Sequence, residues 1–429
     1  MRILIKNGHV IDLATKLNGV YDVMIEDGRV VEIARDLDIT NGELIDAEGK
    51  YVLPGLVDAH CHLRDPGFEY KEDIESGTRS AAKGGFTSIA CMPNTNPVID
   101  NEAMVKYIIN KAKTDGVVNV FPIGSISKGQ KGEELSEIGE LKFAGAVAIS
   151  DDGRPVASSS LMKKALQYAS MFDMTVISHC EDPDLSDGGV MNEGTQSTLL
   201  GLKGIPSAAE EVMVARDLIL AEYTKTPIHI AHVSTELSVD LIRHAKKRGV
   251  KVTAETCPHY FSLTEKACDG FNTLAKVNPP LRTSRDVEAV IEGLKDGTID
   301  IIATDHAPHH MDEKEVEFDL AANGMVGFET ALPLVITYLV KPGHLTLENV
   351  VEKMCVNPSR ILGLNKGTIE IGKPADLIIV DTDEVNTVDV QKFASKSKNS
   401  PFDGYKLSGA VYCTIVGGKV VVREKVLLY

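Results

Sequence analysis

The sequence predicts an α/β fold: a (β/α)8 TIM barrel with a small β-sandwich domain formed by both chain termini. Three observations predict it. Eight short apolar runs recur between residues 55 and 309, most followed by a stretch with helical apolar spacing. Both ends of the chain instead carry Val/Ile-rich runs punctuated by turn dipeptides. His, Asp or Asn closes run after run, where a buried barrel strand should be apolar throughout but a barrel active site needs polar groups.

The elements follow in order. In residues 1–53, ILIKNGHVID, DVMIEDGRVVEIA and ELIDAEGKYVL read as strands separated by Asn-Gly, Asp-Gly and Glu-Gly turns. Residues 366–429 have the same texture in GTIEIGKPADLIIVD and GAVYCTIVGGKVVVREKVLL. Neither end is long enough to bury a good core alone, so the two are expected to share one. Residues 54–365 are expected to form the barrel, its strands lying in GLVDAHCHL, FTSIACMPN, NVFPIGSIS, AGAVAISDD, MTVISHCE, PIHIAHVS, KVTAETCPH and DIIATDHAPH. The third run is the weakest, because Pro122 and Gly124 interrupt it. Segments such as NEAMVKYIINKAKT and SAAEEVMVARDLILAEY supply the helices.

Composition narrows the function. With 45 Lys+Arg against 62 Asp+Glu the net charge is −17, which argues against nucleic acid or an anionic membrane as partner. No apolar run approaches the roughly 18–20 residues of a membrane helix, and the N-terminus lacks the apolar core of a signal peptide. The seven cysteines are odd in number, widely spaced and without a CxxC pair. They read as reduced thiols of a cytoplasmic protein.

His60 and His62 lie two apart on a strand, so period-two alternation puts both imidazoles on one face and Cys61 on the other. An isolated pair of this kind is as compatible with hydrogen-bonded core histidines as with ligands. His179, His232 and Asp305 close later strands, and five such residues converging at one barrel mouth point to a metal. Neutral imidazoles with hard carboxylates suit Zn²⁺ or a related divalent ion. A metal polarises a carbonyl and makes bound water a stronger nucleophile, which amide hydrolysis needs, and a carboxylate such as Asp305 can carry the proton. Asp305 as a plain loop-capping carboxylate is the bland alternative. His306 is expected to alternate away, and His259 stays outside the ligand set. Residues 310–327 fit either a loop that closes over substrate or a solvated surface loop.

Read together, DAHCHLRDPG, CMPNTNP, DDG, ISHCEDPDL, HIAHVST, ETCPHYF, VNPPLR and ATDHAPH resemble the amidohydrolase superfamily, and most closely its dihydroorotase family of the longer, hydantoinase-like bacterial class. The resemblance covers nearly the whole chain. It implies a metal-dependent enzyme with one or two Zn²⁺ per subunit, interconverting N-carbamoyl-L-aspartate and L-dihydroorotate in pyrimidine synthesis. It implies His60 and His62 on one metal, His179 and His232 on a second, and Asp305 as metal contact and general acid/base. His62, Arg64, Asn94, Asn278 and His309 match substrate contacts, as do backbone groups near Asn323 and Gly324. Arg64 suits a bidentate grip on a carboxylate, although a lone arginine is more often solvated. Asn94 alternatively serves the PNTNP turn, and His310 competes with His309 on position alone.

Many relatives bridge their metals with a carboxylated lysine on strand four. AGAVAISDD has no lysine, and Lys142 precedes the run at the wrong end. Asp152, matching the family's aspartate, is therefore expected as the anionic ligand, with Asp151 turned away. Two rivals stay open: another cyclic amidohydrolase such as a hydantoinase or allantoinase, and a non-catalytic subunit that supports aspartate transcarbamoylase. The expected partners are a small-molecule substrate, a second copy of the chain and, through the resemblance, aspartate transcarbamoylase.

Overall fold

A computed structural model describes residues 2–429. Eight parallel strands, β1 to β8, span Leu56–Cys61, Phe86–Cys91, Asn119–Gly124, Ala148–Ser150, Thr175–Ser178, Ile228–Ile230, Val252–Thr256 and Ile301–Ile302, hydrogen-bonded in that order. The barrel closes between the chain just past β8 and β1, where Asp305 N–H donates to His60 O at 3.0 Å and His62 N–H to His306 O at 2.8 Å. Three of the expected metal ligands, His60, His62 and Asp305, thus sit on the closing seam. Asp58 reinforces it, accepting Thr304 N–H at 2.9 Å and Thr304 Oγ1–H at 2.6 Å. Burial pushes the Asp58 carboxyl up to about 7, against those two hydrogen bonds.

The strands are short, and β1 and β2 are buried at every position, as a sheet covered on both faces requires. Small side chains (Ala59, Ala90, Ala148 and Ala231) pack with Ile123, Ile177 and Ile301 in one cluster, while Cys61, Ile89, Ile149 and Val176 join the cluster that includes the helices. The interrupted third run is a strand after all. Pro122 forfeits a donor but keeps its carbonyl, which accepts Val147 N–H at 3.1 Å. Helix starts are capped as their sequences suggest: Asp73, Asn101, Ser158, Thr235 and Thr283 each accept a backbone N–H three residues on.

The termini do meet. Tyr51–Pro54 pairs antiparallel with Leu377–Thr387, joining N- and C-terminal strands in one nine-stranded sheet two residues before β1 begins. Alternation splits its side chains between two cores. Ile3, Ile5, Val10, Val52, Leu377, Ile379, Cys413 and Ile415 form the domain's own core, whereas Ile11, Leu53, Ile378 and Val380 pack against the barrel. The edge strand Arg29–Ala34 is tied back to the C-terminal segment, Val30 N–H donating to Lys373 O at 3.1 Å and Ala375 N–H to Gly28 O at 2.9 Å. All seven cysteines are free and buried. Among the described residues no helix is long and apolar enough to cross a membrane.

Candidate metal and substrate site

The C-terminal ends of the strands bring six expected ligands together. Asp152, just past β4, stands among four imidazoles. Its Oδ1 lies 3.3 Å from His60 Nε2, 3.4 Å from His232 Nε2 and 3.5 Å from His179 Nδ1, and its Oδ2 lies 3.5 Å from His62 Nε2. Asp305 Oδ1 is 3.1 Å from His62 Nε2 and 3.6 Å from His60 Nε2. His179 Nδ1 and His232 Nε2 are 2.8 Å apart. His60, His62 and Asp305 converge closely enough to hold one ion, as do His60, Asp152 and His232. His60 Nε2 and Asp152 Oδ1 are buried without a hydrogen-bond partner, which is costly unless something between them takes their lone pairs. A divalent cation fits this donor set, all imidazole nitrogen and carboxylate oxygen.

The imidazoles are held by groups behind them. Glu255 on β7 accepts His60 Nδ1–H at 2.6 Å and His229 Nε2–H at 3.0 Å. Glu181 Oε2 accepts His179 Nε2–H at 3.0 Å and Asn278 Nδ2–H at 2.8 Å. Asn94 Oδ1 accepts His62 Nδ1–H at 2.8 Å. Each contact settles which nitrogen faces the cluster. The backbone is strained here too: Arg64, His232 and Asp305 have φ of 61°, 33° and 45°.

Charge balances charge. Burial pulls the His60 imidazole down, but Asp152 and Glu255 outweigh it and lift it well above the ordinary value. Burial likewise opposes the His179 imidazole, yet Asp152 and Glu181 raise it to about 10. Burial favours protonation of Asp152, Glu255 and Asp305, but the surrounding imidazoles hold all three below the usual carboxylate range.

A cavity of about 200 Å³ opens onto this cluster. His62, Arg64, Asn94, Asn278, His309, Asn323 and Gly324, all expected to meet substrate, line it with Asp152, His179 and Asp305. Arg64 Nε donates to Pro308 O at 3.2 Å, and its Nη2 lies 3.3 Å from His309 Nε2. Burial lowers the Arg64 guanidinium from its ordinary value. His309 Nε2 donates to Asn323 O at 2.8 Å, and burial depresses the imidazole to about 3. Gly67 of RDPG has φ +96°, and a Cβ there would stand 2.1 Å from Asn96 O; glycine lets the Arg64 and Asn94 loops pack together.

Neighbouring residues separate as alternation suggests. Asp151 turns to the loop after β3, accepting Ile126 N–H at 2.8 Å and the Ser127 hydroxyl. His306 stacks on Phe328 with ring centroids 4.0 Å apart. His310 is exposed. Lys142 lies on the helix Ile138–Ala144, before β4. His259, left out of the ligand set, is buried with Nε2 unpartnered, and Cys257, His259 and Asp305 form a third group of convergent ligand atoms. The residues that sequence reasoning missed are Glu181 and Glu255. The available signal was a carboxylate at a strand end or within a buried strand, where charge needs a partner.

A closed parallel barrel whose strand ends gather four histidines and two aspartates around a cavity defines a metal-dependent amidohydrolase. The family model for dihydro-orotase-like proteins matches residues 49–238, and that of the amidohydrolase family matches residues 285–422. The chain belongs to the dihydroorotase family. It is 78% identical over 425 residues to the dihydroorotase of Acetivibrio thermocellus, covering 99% of this chain and 100% of that one. It is 74% identical to that of Ruminiclostridium cellulolyticum, with 100% of each chain covered. Among solved structures, the L-hydantoinase of Arthrobacter aurescens superposes with a TM-score of 0.90 at 29% identity, covering 100% of this chain and 97% of that one.

Proposed function

We propose that the protein is a cytoplasmic dihydroorotase that interconverts N-carbamoyl-L-aspartate and L-dihydroorotate, with one or two Zn²⁺ held by His60, His62, Asp152, His179, His232 and Asp305. The observation that carries this reading is the cavity itself: imidazoles and carboxylates (His62, Asp152, His179 and Asp305) line it together with Arg64, Asn94 and His309. A reacting carbonyl belongs at the first group and an anionic substituent at the second.

A bound divalent ion would polarise the reacting carbonyl and supply water at a lowered pKa. The chain's own residues do the rest. Arg64, fixed through Nε, presents its outer nitrogens to the substrate carboxylate. Asn94, whose Oδ1 is committed to His62, has its amide NH2 left for the same carboxylate. In ring opening Asp305 accepts a proton from the attacking water and returns it to the ring nitrogen as the C–N bond breaks. In closure the ureido nitrogen attacks the side-chain carboxyl carbon, a C–N bond forms, and water and the proton follow the reverse route. Free buried thiols fit a reducing compartment. We assign residues 1–53 and 366–429 to the sandwich and 54–365 to the barrel, and place a second copy of the chain and aspartate transcarbamoylase as partners to be sought by light scattering.

The test is turnover of dihydroorotate by zinc-loaded protein and its Asp305→Asn variant. The variant should retain its metal and lose about 10³-fold in kcat, within the range that removal of a general acid/base costs. Turnover within tenfold of the parent would make Asp305 structural.

A further inference from the structure

The loop between residues 310 and 327 contains a lysine with no exposure at all. Lys314 is completely buried, and its Nζ donates to Ala322 O at 2.6 Å, Gly324 O at 3.0 Å and Lys276 O at 3.4 Å. Three N–H groups meet three carbonyls, and no carboxylate pairs with the ammonium. Lys276, also buried, holds the other side of the same loop, donating to Phe318 O at 2.7 Å and Asp319 O at 3.0 Å. A solvated surface loop has no use for two buried cations, each costly to desolvate.

The acceptors show what the cost secures. Asn323 and Gly324 line the cavity; Lys314 does not. The consecutive carbonyls of residues 322, 323 and 324 are taken by Lys314, His309 and Lys314 again, and Asn399 Nδ2 adds a 3.1 Å bond to Gly324 O. Gly324 has φ +131°, and a Cβ there would lie 2.6 Å from the Ala307 Cβ, so the segment lies tight on the strand-eight loop. In a trans peptide the C=O and the next N–H point in opposite directions. With Ala322 C=O aimed at the ammonium, Asn323 N–H points away from it.

The geometry points to Lys314 as a positioning residue for the known family reaction: from behind the loop its ammonium fixes the 322–324 backbone and polarises the Asn323 amide for a substrate acceptor group. A cation drawing on the carbonyl of one peptide strengthens donation by its N–H. Burial beside Lys276 depresses the Lys314 ammonium to about 7.

This inference rests on the dihydroorotase reading, and the experiment separates the two. Wild-type protein that fails to turn over dihydroorotate overturns that reading alone. Amide hydrogen exchange across residues 320–326 addresses Lys314 without substrate: the loop should be protected in the wild type and exchange faster in Lys314→Met. For kinetics, Lys314→Met should raise KM at least ~10-fold with kcat changed less than ~3-fold and zinc content unaltered, the signature of lost binding in ground and transition states alike. A KM within twofold of wild type with unchanged exchange, or a loss confined to kcat or metal content, overturns the role. Should Lys314→Met not fold, Lys314→Ala assayed with n-propylammonium takes its place: a KM that falls toward the wild-type value as the amine is added supports the role, and a KM that does not respond overturns it.

Discussion

Glu255 on β7 accepts the Nδ1–H of His60 on β1 at 2.6 Å across 195 residues of sequence, and this one contact aims His60 Nε2 at Asp152. A carboxylate can only accept, so His60 must be the Nδ1–H tautomer whenever the imidazole is neutral. The lone pair on Nε2 is then free for a metal.

Glu255→Gln should therefore weaken metal binding about 10–100-fold, the usual cost of losing a ligand's outer partner, while the fold survives. Competition with a chromophoric chelator measures this. An unchanged zinc affinity would mean that packing alone orients His60.

Asp152 and Asp151 should separate sharply. Asp152 faces four imidazoles, whereas Asp151 holds the loop at Ile126 and Ser127. Asp152→Ala is expected to lose metal and activity by more than the roughly 10–100-fold of an outer-partner mutation. Asp151→Ala should keep its metal and lose thermal stability, since it leaves buried backbone donors unsatisfied. Reconstitution of the metal-free enzyme should need no bicarbonate, because β4 carries no lysine. A carboxylated lysine in the metal centre, seen by crystallography, would contradict this.

Metal uptake should be steeply pH-dependent. In the metal-free protein the His60 imidazole is raised well above its ordinary value and that of His179 to about 10, so a metal must displace their protons. Raising the pH then strengthens binding until His179 titrates near 10, by up to ~100-fold per unit where both histidines are protonated. The metal-free fold follows the opposite sign. Stabilisation from the raised His179 pKa is fully present below 6.5 and is lost as pH rises toward 10. Calorimetric titration in buffers of different ionisation enthalpy would count the released protons, and a count of zero would refute the assignment.

The strands of the barrel, the sharing of one sheet by the two termini and the convergence of His60, His62, His179, His232 and Asp305 were legible in the sequence. Each rests on local information: an apolar run of strand length, a turn dipeptide, a polar residue where such a run ends. The choice of Asp152 rests on its match to the family's aspartate, and period-two alternation then turns Asp151 away. The partners of those residues were decided only by tertiary structure. Glu255 and Glu181 set the tautomers of His60 and His179; their place in or near a strand end hints at a partner, but which imidazole each one meets is fixed only by the fold. Asn94 looked like turn chemistry or a substrate contact, and the fold adds a hydrogen bond to His62. Lys314 sits in an acidic, polar stretch that reads equally as a closing loop or a solvated one, yet it is wholly buried. Whether a charged side chain meets water or a set of carbonyls depends on which distant segment packs over it, and burial of that kind is a property of the closed fold, not of the residues on either side.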